Sequence, residues 1–157
     1  MSIKIGITGS TGSLGREIVK SKSAYSFSFF KGDIRNKKKI SEWIKSKKFN
    51  AIIHLAAIVP IKVVNSNKKK AYNVNYIATK NIVDEVKKNK IGWFFFSSTS
   101  HVYSSKNYNI NEKAKTNPIS YYGKTKLLAE KYIIKHLEKR DSKYCIGRIF
   151  STTNKNQ

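Results

Sequence analysis

Short apolar runs alternate with longer amphipathic stretches along the whole chain. Strand-like runs occupy residues 3–7, 25–30, 51–57, 93–98 and 144–150. Stretches with apolar side chains at helical spacing occupy residues 16–23, 37–48, 72–88 and 120–137. The runs at 51–57 and 93–98 are mostly apolar, as central parallel strands are, because both faces of such strands are covered.

This alternation predicts βαβ units that build one doubly wound parallel sheet of the α/β class. Right-handed crossovers then place helices on both faces of the sheet. We therefore expect a Rossmann-type, three-layer α/β/α fold that forms a single domain over residues 1–157. No internal repeat or Gly/Ser-rich linker divides the sequence, and a chain of this length can bury a core.

The formal charge of +23 is strongly positive, but its distribution does not favour a dedicated nucleic-acid-binding role. Lysine supplies nearly all of the excess and is spread along the chain, whereas arginine is scarce. Proteins that read bases depend mainly on arginine forks. We expect instead a positive field that attracts anionic nucleotides.

The sequence also argues against a membrane, a metal or a catalytic thiol. No apolar run approaches the roughly 20 residues that a bilayer span requires, and the first residues do not resemble a signal peptide. The lone Cys145 suits a reducing compartment and is expected to be a small buried residue. His54, His101 and His136 lack the spacing of metal ligands. We therefore expect a cytoplasmic protein without a metal.

A glycine-rich turn, TGSTGSLG at residues 8–15, links the first predicted strand to the first predicted helix. Gly9 permits a tight turn, Gly12 lets a phosphate approach the backbone, and Gly15 lets the helix pack closely. The helix start offers unpaired N–H groups to an anion. Such glycines can also form a plain strand-to-helix turn, but their position after the first strand favours a pyrophosphate site.

Tyr122 and Lys126 lie four residues apart in the last predicted helix and should share one face. A lysine charge near the phenol would lower the pKa of Tyr122 and suit it to general acid or base chemistry. Upstream, a buried strand ends in the hydroxyl residues 97–100, which puts donors such as Thr99 at the carboxyl edge of the sheet, where ligands bind. We expect the neighbouring Ser98 and Ser100 to be hydrated or to cap the backbone, and His54 to be a packed structural residue.

In content and order, these motifs resemble the extended short-chain dehydrogenase/reductase family, which remodels nucleotide-activated sugars. Its other likenesses here are GDI at residues 32–34, HLAA at 54–57, NVNYIAT at 73–79 and GRIFS at 147–151. The chain departs from the family pattern at Ala78, where glycine is usual, and at Ser151, where asparagine is common. The second departure puts part of the nucleotide-sugar contact in doubt.

The resemblance implies an epimerase, dehydratase or reductase that uses NAD or NADP on a UDP- or dTDP-linked sugar, in bacterial surface-glycan biosynthesis. It implies Thr99, Tyr122 and Lys126 as catalytic residues. The implied cofactor contacts, which again include Tyr122 and Lys126, come from the glycine turn, the GDI and HLAA segments and two later positions: Gly9, Thr11, Gly12, Ser13, Leu14, Gly15, Asp33, Ile34, Leu55, Ala56, Ala57, Asn75 and Ser97.

Asp33 has several interpretations. In the family, the aspartate of this segment accepts from the adenine amine, and the next residue, Ile34, covers the ring. By its distance from Gly15, Asp33 could instead bind the adenosine ribose. Its neighbours favour the adenine contact, which leaves the choice between NAD and NADP open. A helix N-cap is a further role that is compatible with either.

The resemblance also implies what the chain lacks. Family members usually continue for about another domain, which forms the substrate lobe, and they often form homodimers. We therefore expect a cofactor-binding part that ends before this lobe. The alternative to an active enzyme is a catalytically inactive module or fragment that only binds a dinucleotide.

Overall fold

The structure is a computed structural model in which residues 2–21, 24–104, 109–138 and 142–150 are described. Its strands are β1 (Lys4–Thr8), β2 (Ser26–Phe29), β3 (Ala51–His54), β4 (Trp93–Thr99) and β5 (Lys143–Ile149). They form one parallel sheet in the order β2-β1-β3-β4-β5. The helices are α1 (Ser13–Lys20), α2 (Lys37–Lys47), α3 (Ile61–Ser66), α4 (Lys68–Tyr72), α5 (Ala78–Lys88) and α6 (Tyr121–Leu137). The predicted Rossmann-type α/β class is confirmed.

The main core lies on one face of the sheet, under α2, α5 and α6. Ile40 and Ile44 of α2 are buried there with Phe94 and Phe96 of β4 and Ile133 of α6. The crossover through α1 runs from β1 to β2, opposite in direction to the later crossovers. A right-handed connection therefore puts α1 on the other face, as expected.

The register of the sheet brings the predicted site segments to one edge. Thr8 of β1 pairs with His54 of β3, and His54 pairs with Phe96 of β4. The residues that follow these three positions are the glycine turn, residues 55–57 and residues 97–99. Because the strands are parallel, all three segments emerge at the carboxyl edge, where ligands bind in such sheets.

Several predicted boundaries were wrong. The helix predicted at 16–23 begins at Ser13. The strand predicted at 51–57 ends at His54, and the following residues line a cavity instead. The helix predicted at 72–88 is preceded by α3 and α4 and is interrupted by a π-helical turn at Asn73–Ile77.

Cys145 is exposed, contrary to the prediction of a buried residue. Its neighbours Tyr144 and Ile146 pack against the helix-covered core. Since side chains alternate across a strand, Cys145 points to the opposite face. It lies there on β5, one of the two edge strands of the sheet.

Candidate functional site

A cavity of about 1290 Å³ opens at the carboxyl edge of the sheet. Its wall comes from the glycine turn, from the segments after β2, β3 and β4, and from α6. We call the part formed by residues 30–35 the β2 end, and the part formed by residues 97–101 with Tyr122 the β4 end. The predicted site residues in the wall are Gly9, Thr11, Gly12, Ser13, Leu14, Gly15, Asp33, Ile34, Leu55, Ala56, Ala57, Ser97, Thr99 and Tyr122. Asn75 and Lys126 are buried behind it.

The glycine turn is packed as the phosphate-binding interpretation requires. Gly9 has a φ of +79°, and a Cβ there would lie 2.5 Å from the backbone N of Ala56. A Cβ on Gly15 would lie 2.2 Å from the carbonyl oxygen of Gly9. A Cβ on Gly12 would meet only that same oxygen, at 3.4 Å, so the backbone at Gly12 is accessible from the cavity. Gly12 is also the N-cap of α1 and has no side chain to occupy the first N–H groups. These features fit the pyrophosphate of a dinucleotide.

At the β4 end, Thr99 and Tyr122 lie together. Thr99 is the last residue of β4, and Tyr122 is the second residue of α6. A hydrogen bond from Thr99 opposes the rise in the pKa of Tyr122 that burial causes. A Cβ on Gly123 would lie 2.1 Å from the carbonyl oxygen of His101. The start of α6 therefore packs directly on the segment after β4, and this close approach sets Tyr122 beside Thr99. Gly123 is a positioning residue that the sequence interpretation missed.

Lys126 lies one turn after Tyr122 and is 2% exposed. Its Nζ sits 4.1 Å from the centroid of the Phe96 ring. Burial lowers the pKa of Lys126 to about 7, and the nearby Glu130 carboxylate partly opposes this. We expected the lysine charge to lower the pKa of Tyr122, but burial raises that pKa instead. The expectation was wrong because burial disfavours the charged forms of both groups.

Glu130 continues the buried face of α6 below Lys126. It is 1% exposed and accepts hydrogen bonds from Ser98 and from Arg148, whose Nη2 is 2.8 Å away. Arg148 also donates to the hydroxyl of Tyr103 at 2.7 Å. We had expected Ser98 to be hydrated or to cap the backbone; instead it is buried and joins this network. The network ties β4, β5 and α6 together behind the β4 end.

His54 and Asn75 support the wall of the cavity from behind. The ring of His54 joins Thr8 at 2.6 Å to Thr79 at 2.9 Å, and burial lowers its pKa to about 3. The prediction of a packed structural residue is confirmed. The Asn75 amide accepts from the backbone N of Ile58 at 2.8 Å and donates to its carbonyl oxygen at 3.0 Å. Asn75 therefore holds the segment that follows β3.

At the β2 end, Asp33 is paired with Arg35. Asp33 Oδ1 accepts from the backbone N and from the Nε of Arg35, both at 2.9 Å. These bonds hold the pKa of Asp33 at about 2. The N-cap of α2 is Asn36, which accepts from the backbone N of Lys39, so an N-cap role for Asp33 is wrong. The sequence interpretation also missed Lys31 and Arg35 as wall residues, although they flank the Gly-Asp pair.

A second cavity of about 380 Å³ lies beside β5, between Tyr103, residues 110–112, residues 146–148 and Phe150. Ser151, which departs from the family pattern, lies outside the described residues. Within the described ranges, no cluster of three His, Cys, Asp or Glu side chains could hold a metal ion. No helix in the same part of the chain is long and apolar enough to cross a bilayer.

Residues 3–156 match the family described as RmlD substrate binding domain. The chain belongs to this RmlD family. A relative is the bifunctional UDP-glucose 4-epimerase and UDP-xylose 4-epimerase 1 of Pisum sativum, which is 28% identical over 132 residues. That alignment covers 83% of this chain and 37% of the pea enzyme.

Solved structures with the same fold include dTDP-4-dehydrorhamnose reductase from Bacillus anthracis str. Ames in complex with NADP, with a TM-score of 0.86 and 23% identity. Another is UDP-glucose 4-epimerase from Thermus thermophilus in complex with NAD, with a TM-score of 0.82 and 19% identity. The two alignments cover 96% and 93% of this chain, and 54% and 55% of those chains. This RmlD-family chain thus spans about half the length of these two solved chains, and the expected resemblance is confirmed.

Proposed function

We propose that this chain is the dinucleotide-binding part of an enzyme that epimerises, reduces or dehydrates a UDP- or dTDP-linked sugar. The observation that carries the proposal is the shared cavity. The phosphate-cradling glycine turn and the paired hydroxyl groups of Thr99 and Tyr122 open into one space. A dinucleotide whose pyrophosphate lies on the turn could extend its nicotinamide towards the β4 end. The pea relative is named for the epimerisation of UDP-linked sugars, and one solved structure with the same fold is named for the reduction of a dTDP-linked sugar.

A bound nicotinamide would donate or accept the hydride, and the residues of the chain would move the proton. Because burial raises the pKa of Tyr122, its phenol is protonated at neutral pH. It can therefore act as a general acid on the oxygen of a carbonyl that is being reduced, and as a base in the reverse direction. Thr99 can donate a hydrogen bond to the same oxygen as charge develops there.

Lys126 lies behind Thr99 and Tyr122. Its charge changes near neutral pH, because its pKa is lowered to about 7. A proton held on Lys126, one turn away, would offset part of the burial cost of a Tyr122 phenolate without bringing the pKa of Tyr122 below its usual value. The fully buried position means that this stabilisation acts through a poorly screening medium. The roles of Tyr122, Lys126 and Thr99 are part of the proposal, as are the homodimer and the cytoplasmic location.

The experiment measures binding and turnover separately. NADH and NADPH are titrated into the purified chain by calorimetry, and turnover is assayed with UDP- and dTDP-4-keto sugars. The proposal is supported if a dinucleotide binds and if the chain shows turnover that Tyr122→Phe abolishes. Binding without turnover supports the inactive dinucleotide-binding module instead. If neither dinucleotide binds, the proposal fails.

A further inference from the structure

The strand order assigns the two ends of the cavity to the two halves of a dinucleotide. The glycine turn follows β1, with β2 on one side of β1 and β3 and then β4 on the other. A dinucleotide with its pyrophosphate on the turn and its nicotinamide beside Tyr122 must place its adenosine at the β2 end. The charges at that end therefore face the adenosine ribose. This step rests on the proposed function.

The β2 end is rich in cations. Among the described residues, the charged side chains in the cavity wall are Lys31, Arg35, Lys70 and Asp33. Lys70 lies close enough to Asp33 to act on it electrostatically. Three cations and one carboxylate thus line a cavity whose β4 end carries hydroxyl groups, apolar groups and the ring of His101. An uncharged ribose diol offers nothing to neutralise this surplus.

The acceptor positions of the Asp33 carboxylate are already occupied by Arg35. Asp33 accepts four hydrogen bonds from Arg35, two on Oδ1 and two on Oδ2. A carboxylate has about four acceptor positions, so Asp33 has none left for a ribose diol. Arg35 donates from Nε and Nη2 to Asp33, and its Nη1 donates no hydrogen bond to a described residue. No acid follows β2 directly, since Phe30 and Lys31 occupy those positions.

We propose that the cavity selects NADP(H) over NAD(H), with Arg35 and Lys31 binding the 2′-phosphate. Asp33 then acts as the counter-charge that holds the guanidinium at the mouth of the β2 end. Arginine suits this role because its planar donors match phosphate oxygens. The 2′-phosphate adds close to two negative charges, which matches the cation surplus in the wall.

The test titrates NADPH and NADH into the purified chain by nicotinamide fluorescence, with 2′,5′-ADP and 5′-ADP as probes of the β2 end. We expect NADPH and 2′,5′-ADP to bind at least about tenfold more tightly than their counterparts, a ratio that about 1.4 kcal/mol produces. Arg35→Gln should remove most of this preference, chiefly by weakening the binding of NADPH and 2′,5′-ADP. Lys45→Gln, which removes one charge from an exposed position of α2 outside the wall, should preserve it.

Two further variants sharpen the test. Lys31→Gln should reduce the preference without involving the Asp33 pair, so it serves if Arg35→Gln folds poorly. Asp33→Asn should leave the preference for NADPH intact or increase it, because a negative charge is lost beside the phosphate. Equal affinities for NADH and NADPH, or a preference for NADH that Asp33→Asn abolishes, would overturn the inference and leave the proposed function standing. If no dinucleotide binds, both fail.

Discussion

The β2 end and the β4 end of the cavity are built in different ways. At the β2 end, the side chains of Asp33 and Arg35 are 49% and 43% exposed. At the β4 end, Thr99 and Tyr122 are 5% and 6% exposed, and the Glu130 network lies behind them. Exposed ion pairs contribute little to stability, whereas breaking a buried one is costly. The charges at the end that would choose the cofactor can therefore change with little harm to the fold, but the buried ion pair behind the end that would do the chemistry cannot.

The largest expected effect comes from Arg148→Met. The variant leaves the Glu130 carboxylate buried without its cation, which should lower the free energy of unfolding by about 3–5 kcal/mol. Urea unfolding followed by circular dichroism measures this. As the control, Lys80→Met breaks the exposed pair with Asp84 and should cost less than about 1 kcal/mol. Adding Glu130→Gln to Arg148→Met should recover part of the loss. Equal costs for the two single variants would contradict the contrast between buried and exposed pairs.

The next effect is a pH dependence that arises from Lys126. Its pKa is about 7 in the folded chain, against 10.5 for an unperturbed lysine, the value that applies to the unfolded chain. Between these values the unfolded chain binds more protons, so the free energy of unfolding should rise with pH, by at most about 1.4 kcal/mol per pH unit. Below pH 7 both states are protonated and the slope from this group vanishes. Lys126→Met should lack this rise. If Lys126→Met and the unchanged chain showed the same dependence of unfolding free energy on pH between pH 7 and 10, the lowered pKa of Lys126 would be refuted.

A smaller effect separates two glycines of the same turn. Gly15→Ala forces a Cβ against the carbonyl oxygen of Gly9, so we expect a loss of about 1–3 kcal/mol in the free energy of unfolding. In Gly12→Ala the new Cβ makes only an ordinary van der Waals contact, 3.4 Å from the carbonyl oxygen of Gly9. The fold should therefore be retained, while dinucleotide binding weakens. Thermal unfolding and NADPH titration of both variants provide the measurement. A Gly12→Ala chain that unfolds like Gly15→Ala would show that the turn has no open position.

A still smaller loss of stability is expected for Tyr122→Phe. Only the hydroxyl that hydrogen-bonds to Thr99 is lost, which should cost about 1 kcal/mol. Urea unfolding measures this loss. Arg35→Gln serves as the control, and its urea midpoint should match that of the unchanged chain. A loss in Tyr122→Phe as large as that in Arg148→Met would mean that the phenol is a structural group of the core.

Some of these features could be read from the sequence because they depend on local patterns. Apolar periodicity predicted the parallel sheet, and the rule that ligands bind at the carboxyl edge predicted the position of Thr99. The family resemblance implied that Tyr122 would lie beside it. Other features depend on packing between distant segments. The burial of Lys126 requires Phe96 beneath α6, and the Glu130–Arg148 pair requires the register of β5. Cys145 was misjudged because its exposure depends on which strand lies at the edge.

The π-helical turn at Asn73–Ile77 accommodates one residue more than an α-helical turn does. The segment before it is therefore rotated by roughly 100° relative to an uninterrupted helix. In an uninterrupted helix Ala71 and Ala78, which lie seven residues apart, would share one face. Here Ala71 packs beside Tyr122, whereas Ala78 lies in the main core. A deletion that restored regular winding would therefore withdraw one of these two alanines from its cluster. The extra residue of the π-helical turn lets a single continuous helix serve two separate packing surfaces.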